Sequence, residues 1–200
     1  RELTMGDISR LRNFIQAMTR LVGEAGADEK RILSEGRALL GELIAEDDWL
    51  PDAFAAADAE RYCQNLLYCD PLERFSVVSF VWGPGQHTPV HDHTVWGMVG
   101  VLRGAETCEE FGRDPVSGKL EPAGEHRMEK GQIDLVSPTI GDIHRVSNAL
   151  EDRPSVSIHV YGGNIGRISR HTYELPGGEV GSFISGYSNE MLPNLWGTST

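Results

Sequence analysis

Short runs of β-branched and aromatic residues follow one another from about Arg61 onward, and they constrain the fold more than any other feature of the sequence. The runs comprise residues 75–82, 95–102 and 133–136, the surroundings of Val146, and residues 156–161. Turn-forming glycine, proline, asparagine and aspartate separate them. Many short strands at this spacing predict a mainly β protein, built as a barrel or a double-sheet sandwich.

Amphipathic helices are predicted before the strands. Apolar residues recur at helical spacing over residues 8–22, and glycines follow as stop signals. A second apolar stripe begins after Asp28, a candidate helix cap, and ends at the acidic residues 46–48. Pro51 is expected to open a third, short, alanine-rich helix.

A single domain is the expected organisation of the 200 residues. One β-rich domain can hold a chain of this length around one core. We predict an N-terminal helical layer over residues 1–60, a β-barrel over residues 61–175 and a C-terminal extension over residues 176–200.

The charge and the cysteines restrict the partners and the compartment. A net charge of -12, from 30 acidic and 18 basic residues, opposes binding to nucleic acid and to anionic membrane surfaces. The three cysteines show no Cys-x-x-Cys spacing, and there is neither an apolar signal segment nor a run long enough to span a membrane. We therefore expect a soluble, cytoplasmic protein, and the oligomeric state stays open.

The segment GQHTPVHDHTVWG, residues 85–97, is unusually rich in histidine. Successive side chains of a strand alternate between its faces, so His91 and His93 point the same way and Asp92 points to the other side. Two adjacent imidazoles can chelate a divalent metal, which needs both of them neutral. A surface His-x-His pair without a function is the alternative that these two residues leave open.

The wider pattern resembles the two motifs of the cupin superfamily. Residues 85–104 read G-x5-H-x-H-x3-G-x6-G, and residues 141–148 read G-x2-H-x3-N. The resemblance implies a cupin-like β-barrel, also called a double-stranded β-helix or jelly roll, with a metal inside it. It makes His144 the third ligand beside the two histidines of the first motif. Gly97 stands where many cupins carry a glutamate as a fourth ligand.

Three neutral imidazoles leave a bound metal its full charge and open positions. This donor set suits an anionic donor and dioxygen on one ferrous ion. Zinc also accepts three histidines with an open site, but it offers no redox chemistry.

A second pattern lies in residues 156–161, where every second residue is polar. Ser157, His159 and Tyr161 therefore share one face of a predicted strand. Inside a barrel such side chains must be satisfied by one another or by a ligand, whereas on a solvent-facing strand this alternation is ordinary. Together with the three histidines, the pattern resembles the Ser-x-His-x-Tyr triad of the cysteine dioxygenase family, the thiol dioxygenases.

This resemblance implies a mononuclear Fe(II) at the three histidines and oxidation of a small thiol by O2 to its sulfinic acid. It implies that Tyr161 directs its hydroxyl at the substrate, that His159 holds Tyr161, and that Ser157 orients His159. Mammalian members join the tyrosine to a cysteine through a thioether. Gly97 takes the place of that cysteine, so no crosslink is expected.

The resemblance also implies that substrate choice depends on Gln64, because its segment is similar to the one in which cysteine-specific members carry an arginine for the substrate carboxylate. An amide cannot form a bidentate ion pair, and glutamine-type bacterial members are similar to 3-mercaptopropionate dioxygenases. We therefore favour 3-mercaptopropionate, with L-cysteine as the alternative. Arg167 and Arg170 are candidates for a contact with the carboxylate.

Two other classes of protein stay open. A zinc or manganese cupin that acts as an isomerase or hydrolase would work without dioxygen and would have no use for Tyr161. A metal-dependent small-molecule binding or sensory cupin would usually need a partner-binding or DNA-binding module. The acidic first sixty residues contain no basic helix-turn-helix, which disfavours the last class.

Overall fold

A computed structural model of the protein describes residues 7–175 and 177–197. Two helices come first, α1 (Ser9–Ala25) and α2 (Glu29–Ala45). Asp28 caps α2, because its side chain accepts a hydrogen bond of 3.0 Å from the backbone N–H of Arg31. None of the described helices is long and apolar enough to cross a membrane.

The prediction of an alanine-rich helix after Pro51 is wrong. A single turn of 3-10 helix, Asp52–Phe54, stands in its place. The Phe54 carbonyl oxygen accepts a hydrogen bond from the Ser79 hydroxyl at 2.7 Å. The Asn65 amide donates to the same oxygen at 3.4 Å, so both of its lone pairs are used and none is left for the N–H of a further helical turn.

The described residues form eleven strands in two sheets. The strands are β1 (Cys63–Cys69), β2 (Ser76–Trp82), β3 (Val90–His91), β4 (Gly97–Arg103), β5 (Ala105–Arg113), β6 (Leu120–Glu129), β7 (Ile133–Val136), β8 (Ile143–Asn148), β9 (Ser155–Tyr161), β10 (Arg170–Glu174) and β11 (Glu179–Phe183). The first sheet has the order β1-β2-β9-β4-β7, and the second has the order β11-β10-β3-β8-β5-β6. Neighbouring strands are antiparallel throughout. The fold is therefore the mainly β, double-stranded β-helix that was predicted, with N-terminal helices.

The helices cover the outer face of the first sheet. Ile158 and Val160 of β9 belong to the same buried apolar cluster as Leu40 and Ile44 of α2. Gly100 of β4 lets α2 approach, since a Cβ there would come within 2.8 Å of Ile44 Cδ1. The apolar residues of β9 thus face the helices, and its alternating polar residues face the interior between the sheets.

The second sheet continues past residue 175, where we expected the barrel to end. Strand β11 pairs with β10, and the chain then returns along the edge strand β1. Ser188 N donates to the Gln64 carbonyl at 2.7 Å, and Leu66 N donates to Asn189 Oδ1 at 2.7 Å. The C-terminal segment is therefore a wall of the barrel and closes one side of the cavity described below.

Candidate metal centre and adjoining cavity

Three buried histidines converge between the sheets. His91 ends β3 and pairs in register with His144 of β8, and His93 follows two residues later. Their ring centroids lie 4.7 to 4.9 Å apart. Each ring offers one nitrogen, and the three nitrogens lie within 4.8 Å of one another. The structure thus brings together the three residues predicted from the two sequence motifs.

Each ring uses Nδ1 for a contact that points away from the cluster. His91 Nδ1 lies 3.0 Å from the Pro89 carbonyl oxygen, and His144 Nδ1 lies 3.6 Å from Cys108 Sγ. These contacts leave Nε2 of each ring available to bind an ion between the three histidines. His93 Nε2 is buried and has no hydrogen-bond partner among the described residues. A divalent metal would satisfy this orphaned nitrogen, so the donor set fits a bound ion.

The three rings are neutral at neutral pH. Burial lowers the pKa of His91 to about 4. Burial also lowers the pKa of His93 and that of His144 far below the usual value, and the neighbouring imidazoles add to the effect. Neutral imidazole is the form that coordinates a metal.

Asp142 supports the cluster and was missed by the sequence analysis. Its Oδ1 atom lies 2.9 Å from His93 Nδ1, while Oδ2 accepts the backbone N–H groups of His93 (3.1 Å) and Thr94 (2.9 Å). Thr94 has a φ of 61°, which is strained for a β-branched residue. Asp142 therefore holds both the ring and the turn behind it. Its position two residues before His144, on the same strand parity, was the available signal.

Asp142→Asn is expected to weaken metal binding about 10- to 100-fold, the usual cost of losing an outer partner of a ligand. The amide keeps the shape of the carboxylate, but its single carbonyl oxygen cannot serve both the ring and the two backbone N–H groups. Competition with a chelator measures the affinity. Asp152→Asn is the matched control, because Asp152 is 73% exposed. Equal affinities for the two variants would contradict the supporting role of Asp142.

The polar face of β9 forms a continuous buried chain. Ser157 Oγ lies 2.8 Å from His159 Nε2, and His159 Nδ1 lies 2.7 Å from the Tyr161 hydroxyl. Burial lowers the pKa of His159 and raises the pKa of Tyr161, so both groups are neutral. The Tyr161 ring stacks on His93 with centroids 5.3 Å apart, and Phe80 stacks on His159 at 4.1 Å. The triad therefore ends beside the three-histidine cluster.

Gly97 lies against the ring of Tyr161. The two residues are register partners, and a Cβ at position 97 would come within 2.8 Å of Tyr161 Cδ1. No side chain, and hence no thiol, stands beside the tyrosine at this position. The Cys108 thiol contacts His144 instead.

A cavity of about 470 Å³ opens beside the cluster. His91 is the one histidine of the cluster that lines it, and the other two lie deeper. Arg61 and Arg170 line the cavity as well, and its described lining contains no aspartate or glutamate. The cavity is therefore cationic, in a chain with an excess of acidic residues.

The structure distinguishes between the two arginines that were candidates for a contact with the substrate carboxylate. Arg170 is 3% exposed, its Nη2 donates to Ser185 Oγ at 2.7 Å, and its guanidinium lies 4.6 Å above the Phe183 ring. Its buried Nε has no partner among the described residues, and no described carboxylate lies within 4.0 Å of it. Arg167 is exposed and does not line the cavity. We therefore drop Arg167 as a substrate contact, because its side chain faces the outside.

Gln64 also lines the cavity, but its amide is engaged. Nε2 donates to Ser185 Oγ at 3.1 Å and to the Gly186 carbonyl at 3.2 Å. The side chain therefore ties the C-terminal wall to β1.

Two antiparallel sheets that enclose three convergent histidines define a cupin with a candidate metal centre. A family model described as "Cysteine dioxygenase type I" matches residues 27–173, and the chain belongs to this family.

The chain is also similar to individual known proteins. Cysteine dioxygenase type 1 of Danio rerio is 29% identical over 117 residues, which are 57% of this chain and 56% of that protein. The Rattus norvegicus protein of the same name is 30% identical over 111 residues, 54% of each chain. The chain thus matches about half the length of these relatives. A solved Klebsiella pneumoniae protein with a double-stranded β-helix domain has 18% identity and a TM-score of 0.44, covering 60% of this chain and 95% of its own.

Proposed function

We propose that this chain is an iron-dependent thiol dioxygenase that oxidises 3-mercaptopropionate with O2 to its sulfinic acid. The observation that carries the proposal is the placement of Arg170. It is a buried cation without a described carboxylate partner, in the wall of the cavity that His91 also lines. A metal site and a buried guanidinium in one cavity match the two ends of a short thiol acid.

The three histidines would hold the iron. When bound, Fe(II) would supply the redox chemistry and would lower the pKa of the substrate thiol. One thiol and one O2 give one sulfinic acid, with both oxygen atoms on sulfur, so the reaction needs no other oxidant or reductant.

The protein binds the substrate and controls the protons around it. The Arg170 guanidinium pairs with the carboxylate in a charge-assisted hydrogen bond. Tyr161 keeps its proton on the hydroxyl oxygen, because burial raises its pKa, and His159 holds that hydroxyl beside the cluster. Phe80 stacks on His159 and keeps water from the triad.

The cavity favours a thiol acid that lacks an amine. L-cysteine would bring an ammonium group into a cavity whose described lining has two arginines and no acid. A buried ammonium without a partner is costly, and a second cation nearby adds to the cost. L-cysteine is the alternative substrate, and it is the one that the names of the relatives point to.

Gln64→Arg is expected to raise the ratio of L-cysteine to 3-mercaptopropionate turnover. An arginine at this position offers the substrate carboxylate a bidentate ion pair, as in the cysteine-specific members that the sequence resembles, and we expect this gain to outweigh the repulsion between the added charge and the substrate amine. Gln16→Arg on the exposed face of α1 is the matched control for the added charge. A ratio that stays equal to that of the control would show that position 64 does not select the substrate.

Labelling with heavy-isotope dioxygen tests the reaction. The iron-loaded chain is expected to place both labelled atoms in the sulfinate of 3-mercaptopropionate. The zinc-loaded chain is the control, since zinc offers no redox chemistry. Product oxygen that comes from water, or equal turnover with zinc, would contradict a dioxygenase.

A further inference from the structure

A buried carboxyl group adjoins the Ser157 end of the triad, and the proposed reaction makes no use of it. Glu106 lies on β5 and is completely buried. Trp82, Ser155 and Ser157 are the hydrogen-bonding side chains that face its carboxyl group. Among the described residues, neither carboxyl oxygen has a partner with ordinary hydrogen-bond geometry, and the Ser155 hydroxyl has none either. An ionised carboxylate in such surroundings is costly, whereas a protonated one can donate to a serine.

We propose that Glu106 is a positioning residue that donates a hydrogen bond to the Ser157 hydroxyl and thereby sets the direction of the hydrogen bonds from Ser157 to Tyr161. The triad becomes a chain of four residues that runs from β5 across to β9. The consequence for catalysis rests on the proposed function, whereas the direction of the chain does not.

The direction follows from the capacity of a hydroxyl, which has one proton and two lone pairs. Trp82 Nε1 already donates to Ser157 Oγ at 3.3 Å, so a second bond from Glu106 fills both lone pairs. The serine proton must then go to His159 Nε2, 2.8 Å away. Neutral His159 carries its proton on Nδ1 and donates it to the Tyr161 oxygen at 2.7 Å. The hydroxyl proton of Tyr161 is left free to point toward the three histidines.

An ionised Glu106 would reverse the three bonds that run from Glu106 through Ser157 and His159 to Tyr161, while Trp82 would still donate to Ser157. It would accept a hydrogen bond from Ser157, and His159 would carry its proton on Nε2 and donate it to Ser157. The Tyr161 hydroxyl would then donate its hydrogen bond to His159 Nδ1. Burial raises the pKa of Glu106 to about 8, although hydrogen bonding from Ser157, Ser155 and Trp82 opposes the rise, and the negative charge of Asp134 adds to it. The acid form therefore prevails below pH 8 and is lost as the pH rises through this value.

Four other titratable groups act near Glu106. Asp134 on β7 acts through its charge, and Cys108 lies on the same strand. Burial raises the pKa of the Cys108 thiol and that of Tyr161, and it lowers the pKa of His159. The register partners of Glu106 on the neighbouring strands are Met128 and Asn148. Neither partner carries a charge, so Glu106 is the group that titrates near pH 8 in this part of the barrel.

The tautomer of His159 tests the proposal. Proton–nitrogen NMR spectra of the full chain, loaded with diamagnetic zinc, report which ring nitrogen carries the proton, and a His159→Gln variant assigns the signals. We expect the proton on Nδ1 in the wild type, a shift toward Nε2 in Glu106→Leu, and a return to Nδ1 in Glu106→Gln, whose amide still donates. The wild-type tautomer should reverse as the pH rises through about 8, and that of Glu106→Gln should not. A proton on Nε2 in the wild type at pH 7, or the same tautomer at every pH in all variants, would overturn the proposal.

Steady-state kinetics give a second readout. In the iron-loaded Glu106→Leu variant, kcat is expected to fall about 10- to 100-fold, as for loss of a group that orients a functional side chain. The KM for the thiol should stay the same, because Arg170 is untouched, and Glu106→Gln should recover most of the loss. Unchanged kcat in Glu106→Leu would overturn the proposal. If Glu106→Leu does not fold, the pH titration of the wild type against Glu106→Gln decides alone. If the tautomers behave as expected and no thiol consumes oxygen, the proposed function fails and the role of Glu106 in directing the chain stands.

Discussion

His144→Ala is expected to abolish stoichiometric iron binding and to reduce thiol-dependent oxygen consumption to the level of a solution without protein. Three histidines form the donor set of this site among the described residues, and the variant leaves two, with the Nε2 atoms of His91 and His93 facing a gap. The loss of affinity should exceed the roughly 10- to 100-fold that removal of an outer partner costs. Metal analysis after gel filtration and an oxygen electrode measure the two effects.

His87→Ala is the matched control. His87 has the same strand parity as His91, but it is exposed and lies outside the three-histidine cluster. This variant should bind iron and consume oxygen as the wild type does. Iron binding that survives in His144→Ala, or that is lost in His87→Ala, would show that the metal lies elsewhere.

Arg170→Gln is expected to raise the KM for 3-mercaptopropionate strongly while the iron content stays the same. Removing one partner of a buried, hydrogen-bonded charge pair costs about 2 to 5 kcal/mol. This is roughly a 30-fold or larger increase, since about 1.4 kcal/mol is tenfold. Initial rates of oxygen uptake against thiol concentration provide the measurement.

Two controls separate a carboxylate contact from general damage to the cavity. Arg167→Gln removes a guanidinium that is exposed, so its KM should match that of the wild type. A small thiol that lacks the carboxylate should be affected little by Arg170→Gln, because it never used the guanidinium. An equal rise in KM for both thiols would mean that Arg170 shapes the cavity and does not bind the carboxylate.

Features that depend on the alternation of side chains along a strand were predictable from the sequence. Side chains two apart must share a face, and this rule placed His91 beside His93 and aligned Ser157, His159 and Tyr161. The resemblance to the cupin motifs then supplied His144 as the third member of the cluster. In each case a local spacing or a motif of fixed length was enough.

Features that depend on contacts between distant segments were not predictable. Asp142 reaches His93 across 49 residues of sequence. Glu106 meets Ser157 only because β5 and β9 lie in facing sheets. The helix expected after Pro51 is replaced by a single turn whose last carbonyl binds Ser79. Hydrophobic period and motif spacing carry no information about such partners, since tertiary contacts decide them.

The sequence did not show which of the two arginines faces the cavity, because no motif fixes the direction of either side chain. Arg170 begins β10 and points inward over Phe183, whereas Arg167 ends a short 3-10 turn and faces outward. The C-terminal wall was missed for a similar reason, because Ser188 and Asn189 pair with β1 from outside any predicted strand.

Oxygen consumption by the anaerobically iron-loaded chain is the most direct test of a thiol dioxygenase. 3-Mercaptopropionate and L-cysteine are supplied in parallel, and the products are identified by mass. We expect one sulfinate for each O2 consumed, with a higher kcat/KM for 3-mercaptopropionate. No uptake with either thiol, while iron is shown to be bound, would contradict the proposal and favour a non-oxidative metal cupin.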